Sequence, residues 1–292
     1  MCIRINYFTN WNIVMEYTIK QLHYDDGDFS LQRVVDLQNI VYEGKHTFSV
    51  KGFKQWYINN PMGRVISFNA FYGDELVAHY ACIPYKMEIE GRIVAGLFDM
   101  ATVTHPDHRG KGLFKKLAQT TYDYAKEHGF EFVLGVANAN SYPGYMKYFP
   151  FTYIGRLEVK IGLGTQIKCD GEKTFKVYMD DDIFNWRLDT CKANYSRNGN
   201  ALLGRYNSFV QTFMGSFPAE LLDNSNVKDK HWGFRPKLYV GMGAKFKSLY
   251  LNVPKFIKRS PFNLIFLDLT DGNLPPVNRD NIFFQLFDFD VA

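Results

Sequence analysis

The residues whose types and spacing could do chemistry lie in the run Val103-x-x-Pro106-x-x-Arg109-Gly110-Lys111-Gly112-Leu113. Two glycines flank a lysine, an arginine precedes them, and an amphipathic stretch follows at once. Glycine lets backbone N–H groups turn inward with no Cβ in the way, and a helix starting there adds the positive end of its dipole. Together they make a cradle for a pyrophosphate or similar anion. The same run also serves as a tight strand-to-helix turn, and spacing alone leaves both readings open. Two familiar phosphate loops are excluded. A P-loop needs Ser or Thr after Gly-Lys, and here Lys111 is followed by Gly112 and Leu113. A dinucleotide fingerprint needs a third glycine where Lys115 stands, and the pair Gly241 and Gly243 lacks one too, reading as a turn.

Such a loop must be held by a strand before it and a helix after it, and both are predicted. Ile93 to Val103 reads as the strand, reached through a turn at Glu90-Gly91-Arg92. Leu113 to His128 reads as the helix, its apolar stripe being Leu113, Phe114, Leu117, Ala118, Tyr122 and Ala125, stopped by Gly129. Ahead of them come a strand from Glu16, helices over Leu31–Tyr42 and Val50–Asn59, and strands Val65–Phe71 and Leu76–Tyr85 joined at Tyr72-Gly73-Asp74-Glu75. Behind them come a continuously apolar strand, Phe130–Val136, a short helix, Tyr142–Tyr148, and a strand, Phe151–Ile161. Residues 1–14 show no clear period and are read as an extension ahead of a natural start at Met15. Gly162 to Lys168 reads as a linker. Beyond it the pattern weakens to strands near Thr174–Tyr178, Ala201–Phe209, Leu238–Gly241 and Asn263–Asp268, with an alternating final strand over Asn281–Val291.

The whole chain, 292 residues with 46% hydrophobic and 22% charged, has the make-up of a soluble globular protein of about two domains at ~150 residues each. Aromatics at 17% and only 11 prolines exclude disorder, collagen and coiled coil. The net charge of +4 fits an anionic ligand but not nucleic acid, which calls for a dense basic stripe. The longest basic cluster, Lys255 to Arg259, is interrupted by Phe256 and Ile257 and reads as a solvated helix face. Cysteines 2, 82, 169 and 191 have neither zinc nor disulfide-framework spacing, so no metal is expected and a reducing cytoplasm suits them. No apolar run approaches the ~20 residues that span a bilayer, and the first residues lack a basic region followed by a long apolar stretch, so a secretory signal is not expected. The triplet Asp180-Asp181-Asp182 reads as a solvated turn.

The loop and its approach resemble motif A, Gln/Arg-x-x-Gly-x-Gly/Ala, of the GNAT superfamily of acyl-CoA-dependent N-acetyltransferases. Arg109 and Gly112 match, and Phe114 departs from the final small residue. Downstream, a strand, Asn138-x-Asn140-Ser141, a short helix, Phe149-Pro150-Phe151 and a strand resemble motif B, with Pro150 in place of the usual glycine. The likeness covers about Glu16 to Ile161. It implies an α/β (α+β) fold with a mixed central sheet flanked by helices, and acetyl-CoA as co-substrate. Backbone groups of Ala101, Thr102 and Val103 would pair with the pantetheine arm. N–H groups of Arg109, Gly110, Lys111, Gly112, Leu113 and Phe114 would take the pyrophosphate, and the Val103 N–H would polarise the thioester carbonyl. Asn138 and Asn140 would contact pantetheine or acceptor, unless they are plain turn residues.

Acetyl transfer also needs the amine neutral, hence a base. Asp99 shares a strand face with Ala101 and Val103 by the period of two, and carboxylates are disfavoured in strands, which argues for a use there. A structural Asp99 is the other reading, and His79 and His105 are the alternative bases. The general-acid tyrosine of the family would fall on Met146; Tyr145 or Tyr148 could serve after a small shift, and a missing acid would lower the rate without abolishing the chemistry.

In the second half, Phe184-Asn-Trp186-Arg187, Phe256-x-x-x-Ser260-Pro261-x-Asn263 and Phe284-x-x-x-Asp288-x-Asp290-Val291 resemble GNAT proteins of bacterial surface-polysaccharide gene clusters. That implies a degenerate GNAT-like half without its own phosphate loop. Residues 15–162 would be the acetyl-CoA-binding domain and 163–292 the acceptor domain. Trp186 and Arg187 would line an acceptor cleft, or else be a core tryptophan and a surface-paired arginine. The expected reaction is N-acetylation of a small-molecule amine, an amino sugar or nucleotide-amino-sugar. The alternatives are a catalytically weak acyl-CoA-binding scaffold and an aminoacyl transferase, whose transfer-RNA surface the charge does not advertise. Neither nucleic acid nor membrane is an expected partner, and a homodimer is left open.

Overall fold

The computed structural model describes residues 2–8, 14–24, 28–43, 48–190, 193–205, 209–225, 227–228, 235–254 and 261–289. The chain packs as two compact units: unit 1 is Met1–Tyr85, Ala95–Val133 and Asp268–Asp271, and unit 2 is Lys86–Val94, Leu134–Leu267 and Gly272–Ala292.

Unit 1 begins with β1 (Cys2–Phe8) and β2 (Val14–Gln21), paired antiparallel with Cys2 opposite Lys20. The opening residues thus carry a strand that the sequence did not announce: Ile3-Arg4-Ile5-Asn6-Tyr7 alternates, but over too few residues to stand out. Helix α1 (Asp28–Tyr42) buries Leu31, Val34, Val35 and Leu37, as its spacing predicts. Helix α2 (Val50–Tyr57) starts where the Ser49 hydroxyl accepts the Gly52 N–H at 3.2 Å and stops before Pro61. Strands β3 (Ile66–Tyr72), β4 (Glu75–Ile89) and β5 (Arg92–Thr104) follow, with Tyr17 opposite Tyr72 and Ile66 opposite Cys82. The two predicted turns sit between them, at Gly73 (φ +58°) and at Glu90-Gly91.

Helix α3 (Leu113–Glu127) buries Leu113, Leu117, Ala118, Tyr122 and Ala125, while Phe114 is half-buried. Each large apolar side chain so buried contributes about 1.5–3 kcal/mol, which ties the helix to the sheet. The first residue of β6 (Phe132–Ala137) lays its ring over Gly96 of β5, where a Cβ would meet it at 2.5 Å.

Unit 2 takes β6 from Leu134 onward, then α4 (Tyr142–Tyr148), β7 (Thr152–Arg156) and β8 (Glu158–Gly162). The single strand expected over Phe151–Ile161 is two, because β7 and β8 serve different partners and the break, Leu157, gives its N–H to the Phe262 carbonyl. Next come β9 (Ile167–Cys169), β10 (Phe175–Val177), α5 (Asp181–Thr190), β11 (Ser196–Asn198), β12 (Ala201–Gly204), β13 (Gln211–Ser216) and α6 (Ala219–Asp223). The chain continues through β14 (Lys237–Met242), β15 (Ala244–Phe246), β16 (Tyr250–Asn252), β17 (Asn263–Asp268), β18 (Ile282–Gln285) and α7 (Leu286–Phe289).

Strands β11, β12, β13, β14, β18 and β10 are hydrogen-bonded in that order, and β10 runs along the tip of β4, Phe175 opposite Ile89. The β13–β14 and β10–β18 pairs are parallel and the others antiparallel, so the sheet is mixed. One core gathers Phe184, Leu202, Met214, Phe217, Leu222 and Phe287; a second gathers Ile167, Ala201, Leu203, Phe213 and Tyr239.

Three expectations for this half are corrected. Asp180-Asp181-Asp182 is the start of α5 rather than a turn, since Asp180 Oδ1 accepts the Ile183 N–H at 2.9 Å. The last strand ends at Gln285, where α7 begins: Asp288 Oδ2 reaches back to the Gln285 N–H at 2.6 Å, half of a capping box. Arg187 is buried rather than paired at the surface, and it donates through Nε and Nη2 to the Phe287 carbonyl. The basic stretch Lys255–Arg259, Ser260, Asp290, Val291 and Cys191 lie outside the described residues.

Candidate active site

β5 delivers the loop and α3 receives it. At the end of β5, the His105 N–H bonds to the Val77 carbonyl at 2.8 Å, which holds the strand to β4 up to its last residues. A single 3-10 turn, Pro106–His108, then bends the chain, and His108 is locked by a 2.9 Å hydrogen bond between its Nδ1 and the Tyr17 hydroxyl. Burial, and next the neighbouring His105, holds the His108 imidazole below its ordinary value. Arg109 Nε donates to the Thr104 carbonyl at 3.3 Å, leaving the guanidinium exposed at the turn.

Gly110 and Gly112 have φ of +73° and +69°, the left-handed region that other residues resist, and space is open around Gly110 where a side chain would stand. Gly112 is the N-cap of α3, so no side chain caps the helix, and no acidic residue occupies the first turn. The helix therefore keeps its first N–H groups and its positive dipole end without a carboxylate to answer them. Arg109, Lys111, Lys115 and Lys116 add like charge around it.

Asp99 is half-buried on β5, with Ala101 and Val103 buried further along the same face. Its charge is felt by two neighbours. Burial pushes the Tyr57 hydroxyl well up, and Tyr24, Cys82 and Asp99 push it further; burial and then Asp99 push up the Cys82 thiol.

Beside them runs a charge-free chain of hydrogen bonds. The Tyr57 hydroxyl meets His79 Nε2 at 2.8 Å, His79 Nδ1 meets Asn69 Oδ1 at 2.6 Å, Asn69 Nδ2 donates to Ser67 Oγ at 3.1 Å, and Ser67 Oγ meets the Tyr24 hydroxyl at 2.7 Å. Because Asn69 Oδ1 only accepts, His79 carries its proton on Nδ1, and Nε2 takes the Tyr57 proton. Burial lowers His79 to about 3. An imidazole so placed stays neutral and bonded on both nitrogens, which makes it a fixture of the core and leaves Asp99 as the candidate base. His105 is likewise occupied locally, its Nδ1 accepting the Asp107 N–H at 3.3 Å. The signal for this array was present in the polar Ser67 and Asn69, two apart in an otherwise apolar strand.

The remaining candidates belong to unit 2. Asn138 Oδ1 accepts the N–H groups of Asn140 and Ser141 at 2.8 and 3.0 Å, so its side chain builds the turn into α4, and Asn140 is exposed there. Tyr145 is buried, its ring 5.4 Å from that of Phe151, whereas Tyr148 is 41% exposed beside Lys147. Trp186 and Arg187 belong to the core around Phe287. Among the described residues, no three His, Cys, Asp or Glu side chains are grouped to hold a metal, and no helix is long and apolar enough to cross a membrane.

Residues 27–151 match the family model of the Acetyltransferase (GNAT) domain. No curated protein sequence matches the chain. Among solved structures, a probable N-acyltransferase from Enterococcus faecalis is 9% identical with a TM-score of 0.59, covering 87% of this chain and 73% of that one. A GCN5-related N-acetyltransferase from Anabaena variabilis is 10% identical with a TM-score of 0.57 over 87% and 73%. Eis1 from Mycobacterium abscessus is 9% identical with a TM-score of 0.55 over 87% and 74%. The fold is thus that of the GNAT proteins, and the likeness runs beyond the matched domain into a second GNAT-like half.

Proposed function

We propose that the chain is an N-acetyltransferase that moves the acetyl group of acetyl-CoA to the primary amine of a small molecule, an amino sugar or a nucleotide-linked amino sugar being the acceptor class. The observation that carries this reading is the α3 N-terminus: two left-handed glycines, no side-chain cap, no acid in the first turn and four basic residues around it, all within the residues that match the GNAT domain. These residues fit acetyl-CoA, because a pyrophosphate needs convergent N–H donors and room for its oxygens, and a Cβ at Gly110 would meet nothing within 4 Å.

When bound, acetyl-CoA supplies an activated acetyl thioester. The backbone of Gly110 to Phe114 holds the phosphates, with Arg109 and Lys111 adding charge. Ala101 to Val103 align the arm as a neighbouring strand would, and the Val103 N–H draws charge toward the thioester oxygen. Asp99 takes the proton from the acceptor ammonium, directly or through one water. The departing thiolate takes its proton from water. A thiol with an ordinary pKa near ~8.5 leaves without much help, so the chemistry tolerates a weak acid.

The test is release of free thiol from acetyl-CoA in the presence of glucosamine, its 6-phosphate, nucleotide-linked amino sugars and peptides. Asp99→Asn should lower kcat by about 10²-fold or more on the amine that reacts. Silence across every amine would overturn the reading. It would favour the scaffold alternative, which the burial of Tyr145 against Phe151 supports, and acetyl-CoA would then bind with no turnover.

A further inference from the structure

In unit 2, β9 pairs with β15 and β8 with β16, giving a ribbon with two different sides. From Ala244 to Leu251 exposure alternates residue by residue. Lys245, Lys247, Leu249 and Leu251 are exposed, and Phe246, Ser248 and Tyr250 between them are half-buried. The inward set is tied down. Phe246 and Tyr250 pack against the second core, the Phe246 ring lying 4.9 Å from that of Tyr239 and 4.8 Å from that of Tyr250. The Tyr250 hydroxyl donates to the Gly164 carbonyl at 2.9 Å. With one side fixed in this way, the alternation of a strand presents the other side to solvent.

The outward side has two ends. At one, Lys245 stands directly opposite Lys168, and Lys247 follows two residues on. Like charges opposite one another on paired strands destabilise the pair. None of these three lysines is in an ion pair among the described residues. The carboxylate nearest along the ribbon is that of exposed Asp170, whose N–H bonds to the Gly243 carbonyl, and Ala244 to Pro254 contains no acid. At the other end, Leu251 stands opposite Ile161, which in turn stands opposite Leu238 of β14, an apolar row across three strands. Leu249 and Leu251 are 69% and 60% exposed.

We propose that this side of the ribbon lies against an anionic lipid surface, with Leu249, Leu251 and Ile161 entering the headgroup boundary and the three lysines meeting lipid phosphates. Charge and side-chain type both point to that occupant. The lysines call for an anion and the exposed aliphatic side chains for an apolar medium, and an anionic bilayer surface supplies both in one contact. Specific protein interfaces draw their affinity from Trp, Tyr and Arg and are depleted in lysine, the reverse of this face. A second copy would bring the same lysines, with no acid between Ala244 and Pro254 to answer them. No membrane partner is expected from the sequence, because no apolar run is long enough to span; a ribbon that lies on a surface needs no such run. Nothing in the proposal depends on acetyl transfer.

Co-sedimentation of the full chain with vesicles tests it. Phosphatidylcholine vesicles with about one third phosphatidylglycerol should bind at least about tenfold more strongly than pure phosphatidylcholine, and roughly 0.5 M salt should remove most of that difference. Leu249→Ser combined with Leu251→Ser should weaken binding to the anionic vesicles about tenfold, and Lys168→Gln combined with Lys245→Gln should do the same. All four positions are exposed, so melting curves should stay unchanged; a pair that does melt early is replaced by its single substitutions. No binding to anionic vesicles, equal binding to both kinds, or binding that either pair of substitutions leaves intact would overturn the proposal. Self-association without lipid binding, abolished by the leucine substitutions, would also overturn it and make the face an interface between copies. Equally tight binding of polyglutamate, unmoved by the leucine substitutions, would overturn it in favour of an acidic polypeptide.

Discussion

Helices α3 and α5 begin in opposite ways, one in each unit. Helix α3 opens on a left-handed glycine, has no side-chain cap and holds no acid in its first turn. Helix α5 opens behind Asp180, whose carboxylate takes the Ile183 N–H while its carbonyl takes the Phe184 N–H, and it carries Asp181 and Asp182 in the first turn. A helix start must satisfy about four orphan N–H groups. The second helix answers one of them with the Asp180 carboxylate and sets two more acids beside the rest, while the first has neither cap nor acid. The difference gives a physical reason for the proposed acyl-CoA site to lie at the start of α3 rather than of α5.

Turning α3 into a helix of the α5 kind should have the largest effect. Asp tolerates the left-handed region better than most residues, so Gly112→Asp can keep the fold while its carboxylate caps α3 and repels phosphate. We expect kcat/KM for acetyl-CoA to fall by about 10²-fold or more, the loss of roughly 3 kcal/mol of charge-assisted contacts. Calorimetric affinity for coenzyme A should fall in step. Retention of tight binding would remove α3 from the site and with it the contrast between the two helices.

The units also differ in how protons act on them. His79 in unit 1 is lowered to about 3 by burial. Its folded value lies below its unfolded one, so the stability it contributes is present above about pH 6.5 and is lost as pH falls toward 3. Asp288 in unit 2 is raised to about 7, first by burial, against the Gln285 N–H and the charge of Arg187, which lower it. Its contribution is present below about pH 4 and is lost as pH rises through 7. Acid should therefore loosen β3 and β4 first, and mild alkali should loosen β18 and α7 first. Amide exchange resolved along the chain reads this directly. His79→Gln should flatten the acid limb and Asp288→Asn the alkaline limb; a swap of limbs, or no change in either, would break the assignment.

Much of unit 1 was legible in the sequence because its elements are long and amphipathic. Helices α1 and α3 repeat their apolar positions over several turns, and Gly73, Gly91 and Gly129 mark turns that only glycine makes easily. The turn into α3 was legible for the same reason, since Gly110 and Gly112 are needed for backbone conformation rather than for side-chain chemistry. Unit 2 was harder. Strands such as β9, β10 and β11 have three residues each, too few to show a period, and α5 was hidden by acids that look like a turn until their capping role is seen. Residues around the candidate base were missed for a different reason. Tyr24 and Tyr57 lie far from His79 in the chain, and only packing reveals that their hydroxyls form one chain with it.

The smallest expected effect concerns α5. Asp180→Ala removes the cap carboxylate and leaves the Ile183 N–H unanswered inside a partly buried helix end. An N-cap deletion of this type costs about 1 kcal/mol, which for a protein of this size lowers Tm by roughly 2–4 °C. The KM for acetyl-CoA should stay where it was, because the carboxylate belongs to the structure of unit 2 and not to the phosphate cradle. The informative arm is Asp180→Asn, which keeps the acceptor oxygen but drops the charge. If Asn restores Tm, hydrogen bonding is what closes α5; if it restores only part, the remainder is the interaction of charge with the helix dipole, worth about 0.3–1 kcal/mol and screened by salt. A rise in acetyl-CoA affinity in either variant would mean that the second helix end can also receive phosphate.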